Sequence, residues 1–516
     1  MQSAPTLCLA VLTLTAAIPA QLAGAYTVNP AWPSSPSNFA SLLDATTALA
    51  TQGVAGPVLM FLYDDAGAYT EATSFATSNG PYAPNTAVLV MSSWMGTSAS
   101  NRVTFLPAPG ELPVFDATGR AMGVFWGGTD YVTLQGIEIK NAIYDAVSLY
   151  AETTHGVAFD PILDGCRLHD CGGTGVTIYG NSQMPVNTLV QNCVFWRLQL
   201  TNAGSFNTTG RFGYITTRRS TNTRIVHNTF FADTGVGSSF CVLGAYPSGA
   251  AELPYAEVSN NIFFKVANAA APMLRIQSPT GAASLVPPIC DSNCFFDVSG
   301  GPFARWGAGG LTIAPTLLDW QTTALRDLAS LASDPQFRDI NTNDYHLTAT
   351  SPCSAASTVV ANVATDADGQ ARLAALDIGA DEYSAALSIA VGTGCTGTGN
   401  LTPALRSNEP FLGNASFALT TSQVPPGLFT FLFGSVGLSP NPLPFGAGCT
   451  VYLDLGTFTG LAAALATPNG TTAVVYSLPT NPSFVGINLG YQSLVLDAGA
   501  PLGLTMSNAL SVTFGF

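Results

Sequence analysis

The chain has 516 residues, 47% of them hydrophobic and only 9% charged, with a formal net charge of -15 and two lysines, Lys140 and Lys265. So apolar a composition excludes disorder and can fill a large core, and the length suggests two or more domains. The acidity argues against nucleic acid as a partner.

Residues 1–25 read as a signal peptide: an apolar run from Leu7 to Ala20, then Ala23-Gly24-Ala25 as a small-residue cleavage site before Tyr26, although no Lys or Arg precedes the run. No other segment approaches the length of a membrane span, so the mature chain is expected to be secreted or displayed at the cell surface. Phe39 to Gly53 has the apolar spacing of an amphipathic helix, with Ser37 or Asn38 as N-cap and Gly53 closing it. Strands are expected at Pro57 to Tyr63, Ala87 to Met91 and Val103 to Leu106.

From Val132 to Val298 one short pattern recurs six times: Leu134 to Ile139, Leu163 to Leu168, Val190 to Phe195, Ile225 to Phe230, Val258 to Phe263 and Cys290 to Phe295. Successive copies start 29, 27, 35, 33 and 32 residues apart, a period that signals a solenoid. Each copy reads as two short strands meeting at a polar corner. A further strand precedes most of them, as in Ala146 to Tyr150, Gly175 to Tyr179, Phe240 to Leu243 and Met273 to Ile276. Three strands per turn without helical periodicity predict a parallel β-helix, with Phe39 to Gly53 as its N-terminal cap. Aligned positions then stack: Ile139, Leu168, Phe195, Phe230, Phe263 and Phe295 form an interior column. Ile137, Cys166, Cys193, Asn228, Asn261 and Asn293 form the next, ending in an asparagine ladder at a corner that favours left-handed backbone angles.

Phe39-Ala-Ser-Leu-Leu-Asp-Ala45 before Gly56-Pro-Val58, Gly96 to Phe105, Asp130 to Ile139 and the six coils resemble bacterial right-handed parallel β-helix proteins of the pectin-lyase-like superfamily. Asp334-Pro-Gln-Phe337, Asp344-Tyr-His-Leu347, Ser351-Pro-Cys353 and Asp377 to Tyr383 resemble the segment that closes such solenoids, so the resemblance covers about residues 36–384. It implies a fold and a choice of activities, since members include polysaccharide lyases, glycoside hydrolases and non-catalytic binders. A lyase would require acids that hold calcium against uronate carboxylates and an Arg or Lys base; a hydrolase would require paired carboxylates. Neither set is present as a clean pattern: Glu138, Asp164 and Asp170 lie near repeats but not on one outward face.

Beyond Tyr383, residues 385–400 read as a Gly/Thr/Ala-rich linker, and 401–516 as an antiparallel β-sandwich of short strands between Pro/Gly turns. Thr393 to Gly397, Pro410 to Gly413 and Leu502 to Asn508 resemble a C-terminal module appended to varied exported bacterial proteins, which implies binding, attachment or export. Nine cysteines follow residue 25, and Cys395 and Cys449 are the two beyond the closing segment, so a disulfide between them fits an oxidising compartment. Cys166 and Cys193 fit either buried thiols or a bridge between coils. Cys290 and Cys294 lack a nearby His to complete a zinc set.

The fold expected is therefore all-β: a right-handed parallel β-helix over 26–384, then a small antiparallel sandwich. Arg211, Arg218, Arg219 and Arg224 cluster within one coil and could grip an anionic glycan through paired guanidinium hydrogen bonds. His169 beside Asp170 is the candidate acid/base pair, with Arg218 and Arg219 holding substrate charge. Arg167, opposite Glu138 on the neighbouring coil, and Trp196, which heads an outward column with Phe231, Phe264 and Phe296, are candidate substrate contacts. No residues are assigned to a metal, calcium entering only if the chain is a lyase. The expectation is a monomer that binds or degrades extracellular polysaccharide; the alternative is a non-catalytic adhesive rod.

Overall fold

The structure, a computed structural model, describes residues 21–77, 84–199, 212–233, 240–246, 255–267, 270–278, 287–308, 310–361, 363–372 and 376–515. Residues 1–20 of the segment expected as a signal peptide (1–25), and Arg211, lie outside them.

Each coil gives one strand to each of three parallel sheets, forming the right-handed parallel β-helix expected. The first sheet runs from Leu22–Val28 through Val54–Leu62, Val103–Pro107, Val132–Gln135, Ile162–Asp164, Leu189–Gln191, Thr223–Val226 and Tyr255–Ser259 to Ile289–Asp291. The second runs from Val114–Asp116 to Cys294–Asp297, and the third from Thr86–Ser92 to Ala304–Ala308. Pairing follows the predicted alignment: Ile139, Leu168, Phe195, Phe230, Phe263 and Phe295 are register partners. The four phenylalanines stack with ring centroids 4.8, 5.0 and 4.9 Å apart, the spacing that the strand repeat imposes. Asn228, Asn261 and Asn293 form the ladder: the side-chain oxygens of Asn261 and Asn293 each accept from the backbone and side-chain N–H groups of the asparagine one coil earlier at 2.9–3.1 Å, and that of Asn228 accepts from the Cys193 N–H at 2.9 Å. The left-handed backbone, however, falls one residue before the ladder, at Gly136, Gly165, Asn192, His227, Asn260 and Ser292. The ladder asparagines are therefore kept for their amides, and the turn is made by their neighbours.

The N-terminal helix is shorter than expected, Leu42–Gln52, and its N-cap is Ser41, whose hydroxyl accepts from the Asp44 N–H at 3.0 Å. Ser37 and Asn38 do not cap it, because Asn38–Phe39 pairs as a strand with Leu22–Val28. Gly53 closes the helix at φ 74°, and Leu42, Ala45 and Leu49 enter the solenoid core. The opposite end carries a second helix absent from the sequence expectation, Leu317–Ala324, with a Thr316/Asp319 capping box and Trp320 fully buried over the core.

The described residues of 325–384 wrap the outside of the first two sheets. Tyr345 and Phe337 cover the second sheet, while Val360 and Val363 pack on Leu189 and Val226 of the first. Asn260 pins this segment through the Thr358 carbonyl at 2.6 Å and the Gly379 N–H at 2.8 Å. Gly379 itself sits at φ 110° where an added Cβ would lie 2.6 Å from Ile262. Further on, a five-stranded antiparallel sheet and a three-stranded one share a core of Leu405, Phe417, Leu419, Leu432, Tyr491 and Val512. Leu387–Val391, within the stretch expected as linker, is an edge strand of the larger sheet, paired with Leu504–Thr513. Cys395 and Cys449 are bonded; the other seven cysteines after residue 25 are unbonded and buried. Among the described residues no helix is long and apolar enough to cross a membrane.

Candidate functional site

The three outward faces divide the predicted site residues among them. The His169 pair, Arg167 and Trp196 belong to the second sheet, Arg218 and Arg219 to the end of a third-sheet strand, and Arg224 to the first. They therefore do not form one site.

On the second sheet the side chains are engaged with the protein. His169 places Nδ1 2.6 Å from Asp170 and Nε2 3.3 Å from Glu138, and its ring stacks on Trp196 at 4.0 Å. Asp170 accepts two hydrogen bonds from Arg197, both 2.7 Å, and these hold its carboxyl below the usual range. Burial raises the Glu138 carboxyl, but hydrogen bonds from His169 and Lys140 outweigh it and bring it down to about 2. Both ring nitrogens of the buried His169 are thus occupied by half-buried carboxylates. Trp196, Phe231 and Phe264 are buried under Tyr345 and Phe337, so the aromatic column is a packing surface. Arg167 reaches Asp368 of the closing segment at 3.1 Å. Asp368 lies in the group His346, Asp368, Asp381 and Glu409, which among the described residues has the arrangement to hold a metal ion.

The third sheet carries an aromatic ladder that the sequence analysis did not single out. Tyr150 and Tyr179 stack in register at 5.6 Å, and the Arg218 guanidinium sits 5.4 Å over the Tyr179 ring. Glu152, 2% exposed, accepts from the Tyr150 hydroxyl at 2.9 Å and Thr154 at 2.8 Å and lies 3.2 Å from His155 Nε2. Arg219 donates to the Asn181 carbonyl. Tyr150 and Tyr179 both end predicted strands, so their alignment was readable; Glu152 and His155 stand in the following turn, where no repeat marks them.

The first sheet presents an open groove of about 710 Å³ along its outer face, flanked by the corner residues Asp160, Asn187 and Asn222. It crosses the strands from Val103–Pro107 to Tyr255–Ser259, and its floor repeats hydrogen-bonding side chains, among them Thr133, Gln135, Asp164 and Gln191. Five strand spacings give a length of roughly 24 Å. At one end the Arg102 guanidinium donates to the Asp160 carbonyl at 2.9 Å; toward the other Arg224 pairs with Glu257 at 2.7 Å. Burial raises the Asp164 carboxyl above its ordinary range, against hydrogen bonds that favour its charged form. Gln191 keeps a buried Oε1 without a hydrogen-bond partner.

No family model matches the chain, and no curated protein matches it. Among solved structures, a rhamnogalacturonan lyase is 12% identical over 54% of this chain and 75% of its own, with a TM-score of 0.31. Pectate lyase Pel9A is 15% identical over 70% of this chain and 96% of its own, with a TM-score of 0.32. Full-length tailspike protein 2 from Escherichia coli O157:H7 bacteriophage CAB120 is 9% identical over 92% and 66%, with a TM-score of 0.18. These likenesses carry no information on activity.

Proposed function

We propose that the protein is exported and binds an extended polysaccharide along the outer groove of the first sheet. The observation that supports this is the groove itself, open, elongated and floored by amides, hydroxyls and carboxylates repeated at coil spacing. Such a floor suits a polymer that offers hydroxyls at regular intervals. Arg102 and Arg224 are already paired with protein acceptors, which favours hydrogen bonding to sugar over charge neutralisation, so the ligand is a neutral or weakly acidic glycan. Of the arginines expected to grip substrate, Arg224 is the one that lines this groove. The disulfide Cys395–Cys449 supports an oxidising destination.

One observation favours a second, catalytic reading: the Tyr150, Glu152 and His155 network beside Arg218 joins acid/base groups to an aromatic platform, as a lyase or hydrolase would require. A panel of neutral and acidic polysaccharides, with and without calcium, separates the two. Binding should weaken about tenfold or more in Arg224→Ala and Gln191→Ala, with Arg218→Ala unchanged. Unsaturated or reducing-end products that vanish in Glu152→Gln while binding persists would establish catalysis on the third sheet. Binding with no product would leave the non-catalytic rod.

A further inference from the structure

Under the closing segment, four side chains from separate parts of the chain converge. His346 lies on the strand Asp344–Leu347, Asp368 and Asp381 in the irregular chain that follows, and Glu409 beyond it among the antiparallel sheets. One ligand-capable atom of each lies within 4.8 Å of all the others. In every case the remaining polar atom is held by an outer partner. His346 Nδ1 is bonded to the Asp344 carboxylate, leaving Nε2 3.0 Å from Asp368 Oδ2 and 3.9 Å from Glu409 Oε2. Asp368 Oδ1 accepts from Arg167 at 3.1 Å, Asp381 Oδ2 from the Leu347 N–H at 2.9 Å, and Glu409 Oε1 from Arg338 at 3.3 Å.

A second observation concerns what is left over. Asp381 is 6% exposed and the Glu409 side chain 6%, and Asp381 Oδ1 and Glu409 Oε2 are both buried without a hydrogen-bond partner. Buried carboxylate oxygens are seldom left so unless an ion or water completes them. A carboxylate on the far nitrogen of an imidazole, with donors steadying each carboxylate, is the outer shell that orients metal ligands.

We propose that His346, Asp368, Asp381 and Glu409 bind one divalent transition-metal ion, Zn²⁺ or Mn²⁺, that fastens the C-terminal sheets to the closing segment and, through Arg167, to the β-helix. The imidazole nitrogen selects this class over Ca²⁺, which takes six to eight oxygens. A cation takes carboxylate and imidazole ligands only in their deprotonated forms, so loading is expected to release protons. The His346 side chain is 26% exposed, which leaves an entry route from solvent.

The test uses the full chain, stripped by chelation and titrated calorimetrically with ZnCl₂, MnCl₂ or CaCl₂ in buffers of different ionisation enthalpy. Expected are one Zn²⁺ or Mn²⁺ per chain, proton release, a higher thermal midpoint, and slower proteolysis near residues 385–400. Glu409→Gln and Asp381→Asn should each lower affinity by about tenfold or more, with unchanged far-ultraviolet circular dichroism. Should Asp381→Asn fail to fold, Glu409→Gln decides. No stoichiometric ion, preference for Ca²⁺, or affinity undiminished in Glu409→Gln would overturn the assignment; the first result would make the cluster an imidazolium clamped among carboxylates.

Discussion

Asn261 occupies the middle of the ladder and satisfies polar groups on three coils. Its side-chain nitrogen donates to the carbonyls of Ile225 and Ser259 and to Asn293 Oδ1, and its oxygen accepts from Asn228. Asn228 Nδ2, Asn293 Oδ1 and the Ser259 carbonyl keep other partners, so Asn261→Ala strands chiefly the Ile225 carbonyl and the Asn228 N–H at about 1–3 kcal/mol apiece, and a net loss of about 3 kcal/mol is expected, read as a lowered denaturation midpoint at unchanged m-value. His227, in the left-handed position one residue before the ladder, is buried with Nε2 2.9 Å from Asn260 Nδ2 and Nδ1 without a partner. Burial, then the charge of Arg372, depresses it to about 2. The unfolded chain binds this proton below about pH 6.5 and the folded chain does not. The His227 contribution is therefore fully present above 6.5 and falls by about 1.4 kcal/mol per pH unit as pH drops toward 2. Chemical denaturation at pH 7 and pH 5 should show a loss roughly 2 kcal/mol larger than in His227→Gln; equal losses would count against a neutral buried imidazole. The ladder was legible because identical residues recur at one position. The network around Glu152 was not, since a turn residue used once leaves no periodic mark.

At the scale of elements, the sequence was most readable where packing repeats. Strand positions and the interior column follow from period-two alternation stacked at coil spacing, whereas the helix Leu317–Ala324 occurs once and its Thr316/Asp319 box was passed over. The expected cleavage site Ala23-Gly24-Ala25 lies within the strand Leu22–Val28, where Leu22 is buried and residues 24–28 pair with Val58 to Leu62. Cleavage before Tyr26 would remove about half of that strand. If the mature chain keeps it, N-terminal sequencing should begin at or before Gln21; a start at Tyr26 would mean that the first strand is cut back to Tyr26–Val28, paired with Met60 to Leu62. In the C-terminal sheets the Cys395–Cys449 disulfide closes a loop of 54 residues, for which chain entropy gives about 4 kcal/mol. Cys395→Ala/Cys449→Ala should lower the thermal midpoint of the antiparallel sheets, followed by the signal of Tyr452 and Tyr491, more than that of the solenoid.

For the whole molecule, the governing problem of a solenoid is its open end, where every strand offers unpaired N–H and C=O groups to another copy. Three devices cover the C-terminal end here. Thr312–Ala314 turns back antiparallel on the last strand of the third sheet, Trp320 seals the core, and residues 327–331 run along the edges of the other two sheets. In that run the Asp327 N–H donates to the Cys290 carbonyl at 2.6 Å, the Leu331 N–H to the Asn293 carbonyl at 2.7 Å, and Phe295 donates to the Leu331 carbonyl at 2.8 Å. Asp327 also ends the ladder, accepting from Asn293 at 2.8 Å and from Trp320 at 2.8 Å. Stability and edge protection can therefore be separated by substitution. Trp320→Ala empties a buried site over the core and should cost about 3–5 kcal/mol while the edges stay covered, leaving the association state of the parent chain unchanged. Leu331→Pro removes the N–H that serves Asn293 and sets the ring where that bond ran, loosening the run and exposing the second-sheet edge. It should self-associate end to end, with a mass that rises with concentration in analytical ultracentrifugation. If Leu331→Pro kept the parent chain's mass at every concentration while Trp320→Ala associated further, edge blocking would belong to the helix and not to the run beside it.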